Sequence, residues 1–341
     1  MSTSADQPII LYHYPGSPNS RRVVWYLALR GIPYIQCIQP RVLPRPDLAR
    51  LGINYRRIPI LSIGRDVYLD SRLILQKLEQ LAPERPRLAA DGTPEHRVIE
   101  RLFEAFTMDA GFSRRIVQLM PSDLPMWSDP AFIEDRADLV GGRGLLTAEA
   151  LAAARPEAIN EVKNVFELLE TTLLADGREW ILGTEGPSLA DIEAVWPLHW
   201  STLIPRALPA DHISAILFPR VFAWIERFQR AVSAAEKSFS EPQTVSGEQA
   251  AALMVTSAYN ETEGQVDEND PVVQKQGLQK GQLVQFWPTD TGSGHKDSGR
   301  LVRINSKQVT IETVAGDTTV RVHAPRHGFR VVAHSQGGSD L

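Results

Sequence analysis

The sequence predicts three unlike domains in succession: a mixed α/β domain, an all-helical domain and a small all-β domain. Strand and helix signals alternate over residues 9–83, apolar residues recur at helical spacing across 93–240, and five short strand-like runs crowd into 275–335. At about 100 to 200 residues per domain, a chain of 341 residues has room for two or three. Its apolar fraction of 43% and charged fraction of 23% are those of a globular protein, which excludes global disorder and fibrous repeats.

The first domain reads in order. Ile9 to Tyr14 is a strand apolar on both faces, as a strand covered on both sides requires. Pro15-Gly16 stops it, and Ser17-Pro18 opens a helix, Ser as a preferred N-cap and Pro where a missing N–H costs nothing. That helix runs to Arg30 and ends at Gly31. Tyr34 to Ile38 is a second strand, and the Pro- and Arg-rich stretch Pro40 to Leu51 is a loop with room for one short helix. Arg57 to Ile63 and Val67 to Leu69 flank Gly64-Arg65-Asp66 as a hairpin. Asp70-Ser71 then caps a helix whose apolar stripe is Leu73, Ile74, Leu78 and Leu81.

Residues 82–94 read as a linker, because their prolines and turn residues cannot continue a helix. Helical spacing follows over Glu95 to Leu119, Glu157 to Ala175, Leu189 to Leu203 and Phe218 to Phe239, with Met120 to Gly144 as a long connection. Residues 241–274 form a second linker, with a short helix over Ser246 to Ser257 and then Glu261 to Asp270, whose five acidic and no basic residues mark a solvated tether. The last strands are Gln282 to Phe286, Gly299 to Ile304, Gln308 to Thr313, Thr318 to His323 and Phe329 to Ala333. Their spacing suggests an SH3-like barrel that folds independently, over residues 275–335.

Composition also narrows the function. A formal net charge of −5 argues against coating nucleic acid or an acidic membrane, although residues 275–335 hold nine Lys or Arg against four Asp or Glu. The one cysteine, Cys37, permits no internal disulfide and no Cys-rich zinc site. The eight histidines show no metal-ligand spacing, so no metal is expected. Met1 to Pro8 does not read as a secretory signal, and no uncharged run approaches the roughly 18 residues of a spanning helix, so a soluble, cytoplasmic protein is expected.

The segment Tyr14-Pro15-Gly16-Ser17-Pro18-Asn19-Ser20-Arg21-Arg22-Val23, then Arg57-Ile58-Pro59-Ile60-Leu61, then Asp70-Ser71, resembles the thioredoxin-like domain of glutathione transferases. Gly183 to Asp191 resembles the capping segment of that family's helical domain, so the resemblance covers residues 9 to 240. The Tyr-Arg-Arg-Ile-Pro and Gly-Arg-Asp-Val-Tyr runs are similar to divergent, serine-type transferases of filamentous fungi, with roles in detoxification or secondary metabolism. The β-rich tail lies outside the resemblance.

The resemblance implies a site. Ser17 matches the residue whose hydroxyl donates to the glutathione sulfur, and as a helix N-cap it has a purely structural use as well. Tyr12 and Tyr14 are its rivals, because tyrosine-type members use a residue near the end of the first strand; Tyr14, Asn19 and Ser20 are candidates to assist. Pro59 matches the family's cis-proline, which turns the main chain of Ile58 toward glutathione. Asp70 and Ser71 match the pair that holds the γ-glutamyl group, with Asp70 one methylene shorter than the usual Glu. Arg45 and Arg56 are candidates for the glycyl carboxylate, Phe103, Phe106 and Phe112 for the second-substrate site, and Cys37 is expected to be a buried small hydrophobe.

The expected function is therefore a glutathione S-transferase, in which glutathione as co-substrate is conjugated to, or isomerises, a small apolar electrophile. The resemblance implies a homodimer. A non-catalytic protein of the same fold, whose C-terminal barrel recruits a partner, is the competing expectation.

Overall fold

The computed structural model describes residues 7–83, 85–89, 92–142, 146–238 and 240–334. Met1 to Asp6 and the expected end points Gly144, Phe239 and Ser335 lie outside the described residues. The first domain comprises β1 (Ile9–His13), α1 (Pro18–Arg30), β2 (Ile35–Ile38), α2 (Pro46–Ala49), β3 (Ile60–Ile63), β4 (Asp66–Leu69) and α3 (Ser71–Gln80). β1 lies between β2, parallel to it, and β3, antiparallel, and β4 closes a hairpin with β3. Alternation along these strands sends Leu11, Leu61 and Tyr68 to one face and Ile10, Tyr12, Ile60, Val67 and Leu69 to the other. Both faces are buried, so both need cover.

Helices cover the first face. α1 and α3 share a core with α4 (Pro94–Met108), α5 (Phe112–Gln118), α7 (Ala148–Thr171), α8 (Leu189–Leu203) and α9 (Pro219–Lys237), while α6 (Pro130–Val140) packs beside them. The expected single helix Glu95 to Leu119 is two helices, because Gly111 at φ +82° redirects the chain between them. The expected connection Met120 to Gly144 contains α6, which Asp129 caps with Pro130 at its first position. α7 starts at Ala148 and carries Pro156 within it, so the helix extends N-terminally of Glu157. No helix among the described residues is long and apolar enough to cross a membrane.

The rest of the chain covers the second face. It contributes β5 (Gln243–Thr244), α10 (Gly247–Val255), α11 (Pro271–Gln276), β6 (Leu283–Pro288), β7 (Asp297–Ile304), β8 (Gln308–Ala315), β9 (Thr318–Pro325) and β10 (Phe329–Ala333). The last five strands do not close into an SH3-like barrel. They form an open sheet in the order β10-β6-β7-β8-β9, and β9 continues it by pairing in parallel with β4. β5 pairs in parallel with β2 at the far edge, giving one ten-stranded sheet. A strand that covers the open edge of β4 removes an unpaired row of backbone groups, which is why β9 is not spent on closing a barrel. Val284, Phe286, Ile311 and Val322 join Ile10, Tyr12 and Val67 in one core.

The acidic segment is correspondingly not a solvated tether. The Glu261 carboxylate lies 2.6 Å from Lys77 and 2.7 Å from Arg303, and burial, which would raise its pKa, is outweighed by nearby positive charge that holds it down to about 2. Its backbone N–H donates to Asp66, whose other oxygen lies 2.7 Å from His323 Nε2; His323 Nδ1 lies 3.0 Å from Thr310 and its ring stacks on Tyr68. Gly64 is required here, because a Cβ would fall 2.3 Å from the Ala258 carbonyl oxygen.

The shared core predicts that the C-terminal region does not fold apart from the rest. A chain ending near Ser240 would bare Ile10, Tyr12, Ile60 and Val67, so it is expected to aggregate or to lose its cooperative thermal transition by circular dichroism. A monodisperse truncated chain with an unchanged melting temperature would contradict that. A second prediction concerns Asp297, which accepts from the Asn54 N–H at 2.6 Å and the Tyr55 N–H at 3.4 Å, fastening β7 to the chain before β3. Burial outweighs those two hydrogen bonds and pushes its carboxyl up to about 7. The native state then binds the proton more tightly than the unfolded chain, so stability falls as pH rises from about 4 to about 7 and levels off above. Asp297→Asn keeps an acceptor and removes the charge, and is expected to raise stability above neutral pH by on the order of 1–3 kcal/mol and to flatten the profile below it. Urea unfolding on either side of that window measures both.

Candidate functional site

The matched residues gather at the N-termini of α1 and α3. Ser17 is the N-cap of α1, with Pro18 at the first position; its N–H donates to the Tyr14 carbonyl at 3.0 Å and its Oγ accepts from the Ser20 N–H at 3.2 Å. That use of Oγ occupies a lone pair and leaves the hydroxyl proton available. Ser20 Oγ and Asn19 Oδ1 are buried without a hydrogen-bond partner. Tyr14 is half-buried beside them. Tyr12 points the other way, into the second core, where its hydroxyl donates to Met254 Sδ at 3.3 Å and burial raises its pKa. Cys37 lies in the same core, its thiol pushed up to about 12 by burial and by Asp47.

Asp70 and Ser71 stand at the start of α3. Asp70 adopts φ +67° and caps the helix, Oδ1 accepting from the Arg72 N–H at 3.1 Å, while Oδ2 lies 3.2 Å from Arg57 Nη2. Burial works to raise its pKa, but Arg57 and Arg72 prevail and hold it below the usual carboxylate value. Ser71 Oγ accepts from Arg22 Nη1 at 2.6 Å, and Arg22, wholly buried, is ion-paired with Glu193 of α8. Arg22 is five residues beyond Ser17, so this bond ties the second turn of α1, about 7.5 Å along its axis from the cap, to the start of α3. α1 and α3 pack together, and the N-terminus of each carries partial positive charge, the setting for an anionic ligand group. The Ile58–Pro59 peptide is cis, as is Leu43–Pro44, which the sequence did not single out.

Other candidates are placed elsewhere. Arg45 donates to the Pro40 carbonyl at 3.1 Å and to that of Arg56, and Arg56 pairs with Asp135 and Asp138 of α6. Arg45 ties the loop before β3 to itself and Arg56 fastens that loop to α6, so both are engaged within the protein. The phenylalanines divide. Phe106 and Phe112 stack with ring centroids 4.9 Å apart, but Phe112 is buried in the main core and Phe103, half-buried, packs against that core, whereas Phe106 is exposed in a stripe of α4 with Val98 and Leu102.

Sequence reasoning missed the charges around Asp70. Arg57 lies 2.9 Å from Asp290 as well as beside Asp70, and Arg72 pairs with Asp109, which is 3.1 Å from His327. Arg57 and Arg72 adjoin the motifs and were legible as neighbours; Asp290 and His327 come from the C-terminal sheet and carry no local signal.

Comparison with known proteins bears on the fold. Residues 11–86 match the family described as Glutathione S-transferase, N-terminal domain, and residues 115–237 match one described as Domain of unknown function (DUF7962). Glutathione S-transferase U1 of Arabidopsis thaliana is 24% identical over 224 residues, covering 66% of this chain and 85% of its own. A GST-like protein from Pseudomonas syringae has a TM-score of 0.69 at 21% identity and covers 96% of this chain and 99% of its own, so its fold extends through the C-terminal sheet. Beta-etherase LigF from Sphingobium sp. strain SYK-6 aligns with a TM-score of 0.50 at 17% identity, over 68% of this chain and 99% of its own. The fold is that of the glutathione S-transferases, a thioredoxin-like domain followed by a helical one, and the match over residues 11–86 supports a place in that family.

Proposed function

We propose that the chain is a glutathione-dependent transferase, with the sulfur of glutathione at Ser17, its cysteinyl main chain along Ile58 and Pro59, and its γ-glutamyl end at Asp70 and Ser71. One observation carries the proposal: Arg22, five residues beyond Ser17 in α1, is hydrogen-bonded at 2.6 Å to Ser71 at the start of α3, which fixes the two matched segments against each other. The curated relatives of this chain are named as glutathione S-transferases, which supports glutathione as the co-substrate.

The chemistry needs a thiolate near neutral pH, whereas a free thiol has a pKa of about 8.5. Lowering it by about two units takes about 2.7 kcal/mol of selective stabilisation. A hydrogen bond to a charged group contributes about 1.5–3 kcal/mol and a helix N-terminus about 0.3–1 more. Ser17 supplies both, since capping α1 through a lone pair leaves its O–H to donate to sulfur. The thiolate then attacks an electrophilic carbon of a small apolar substrate: a leaving group departs in conjugation, or the adduct collapses in isomerisation. Ser20 and Asn19, each with an unpartnered buried oxygen, stand ready to assist. Phe106 offers an apolar contact for the second substrate, and the exposed stripe Val98, Leu102 and Phe106 a face for a second copy in a homodimer.

A second reading, a binding protein without turnover, is favoured by a different observation. Asp70 already accepts from Arg57 on one oxygen and from the Arg72 N–H on the other, so an incoming ammonium competes with Arg57 for it. Retention on immobilised glutathione without conjugation of any of a panel of electrophiles would favour that reading.

Ser17→Ala decides the catalytic role. The loss of the cap costs about 0.5–2 kcal/mol of stability. If the hydroxyl stabilises the thiolate, the apparent pKa of bound glutathione rises toward about 8.5, turnover falls at neutral pH, and part of it returns as pH rises. A folded Ser17→Ala protein with the wild-type pH–rate profile, alongside a shifted profile in Tyr14→Phe, would transfer the role to Tyr14.

A further inference from the structure

Two loops of the C-terminal sheet reach the N-terminus of α3. The loop after β6 brings Asp290, whose oxygens lie 3.0 and 2.9 Å from Arg57 Nη1, while Arg57 Nη2 lies 3.2 Å from Asp70. The turn between β9 and β10 brings His327, with Nε2 3.1 Å from one oxygen of Asp109, whose other oxygen pairs with Arg72. The Thr289 N–H donates to the Gly328 carbonyl at 2.9 Å, joining the two loops, and the Gly292 N–H donates to Leu139 at 2.7 Å, resting the first loop on α6. Asp290, Arg57, Asp70, Arg72, Asp109 and His327 therefore form an arc of acidic and basic groups in alternation, drawn from three domains, with the start of α3 at its centre.

In such an arc an incoming charge enters by replacing a member. An ammonium that takes Oδ2 of Asp70 competes with Arg57 for it, and Arg57, whose side chain is 17% exposed, would without a second carboxylate be left lacking a counter-charge in a largely desolvated place. Asp290 prevents this. It already holds Arg57, both of its oxygens lying on Nη1 while Asp70 is on Nη2, and its side chain is 57% exposed. Arg57 is also fixed from below by the Tyr55 hydroxyl at 2.9 Å and by the faces of Tyr55 and Phe329, so it can release Asp70 without leaving its position.

We infer that Asp290 is a positioning residue for the γ-glutamyl end of glutathione: it retains Arg57 when the ligand ammonium takes Asp70. The inference rests on the proposed function. It gives the C-terminal sheet a part in ligand recognition, and the chemistry it serves is that of an α-amino acid head group, ammonium on Asp70 and carboxylate on the N–H groups of α3.

Calorimetry on the full chain tests it, with glutathione and with an analogue lacking only the α-ammonium. In wild type glutathione binds more tightly than the analogue. In Asp290→Asn that preference is expected to shrink about tenfold, a charge-assisted contact discounted for its half-exposed setting. Asp290→Glu restores it, and the melting temperatures of both variants stay near wild type. A folded Asp290→Asn protein with the full preference overturns the inference, as does loss of affinity for both ligands alike, which would mean that Asp290 acts on the loop and not on the ammonium. Wild type that fails to bind glutathione overturns the proposed function, and this inference with it.

Discussion

The parallel pairing of β9 with β4 is the contact on which the remaining architecture depends. A four-stranded sheet with apolar residues on both faces cannot stand with one face bare, and α1 and α3 cover only one. Extending the sheet through β9 brings β6 to β10 and α10 over the other face and seals the edge of β4 in the same step. The polar groups at that seam are satisfied across it: Asp66 and Tyr68 belong to the first domain, His323 and Thr310 to the last, and Glu261 to the segment between. Burying this set is tolerable because nearly every member has a partner of opposite character.

Local chemistry was legible in the sequence; distant pairing was not. Ser17 before Pro18, Gly31 after Arg30 and Asp70 before Ser71 announce helix ends through effects confined to a few residues, and the structure places a helix boundary at each. The apolar residues on both faces of β1 also foretold cover on two sides. Hairpin spacing located the last five strands but not what β9 would pair with, since its partner precedes it by more than two hundred residues. A barrel and an extended open sheet share the same local pattern of alternation and turns, so the choice rests on an edge that only the folded first domain presents. Glu261 failed as a tether for the same reason: an acidic run looks solvated until Lys77 and Arg303 are brought to it.

The candidate site divides along the same line. Its floor is made of residues whose roles as caps are readable from neighbours, and its surroundings are made of arginines whose partners come from elsewhere. Arg22, Arg56, Arg57 and Arg72 each reach a carboxylate of another domain, Glu193, Asp135, Asp290 and Asp109. Arginine suits this work because its planar fork can hold two acceptors at once and keeps its charge when buried. Nothing in the spacing of these residues names their partners, which is why the sequence offered Arg45 and Arg56 to a ligand while the folded protein engages them with its own carbonyls and carboxylates.

Floor and rim also differ in freedom. Ser17, Asp70 and Ser71 are 4%, 7% and 3% exposed, whereas the side chains of Asp290, Asp109 and His327 are 57%, 37% and 67% exposed. Exposed ion pairs in water are worth little individually and exchange partners readily, while buried ones are costly to break. In the proposed exchange at Asp70 the rim pair Arg57–Asp290 persists, and the oxygen by which Asp70 caps α3 keeps the Arg72 N–H. The run Asn54 to Ile58 sits between the two regimes, pinned by Asp297 on the side of the C-terminal sheet and by Asp135 through Arg56 on the side of α6. Since that run carries both Arg57 and the main chain proposed to meet glutathione, its position is set by all three domains together, and the site geometry belongs to the whole chain and not to the first domain alone.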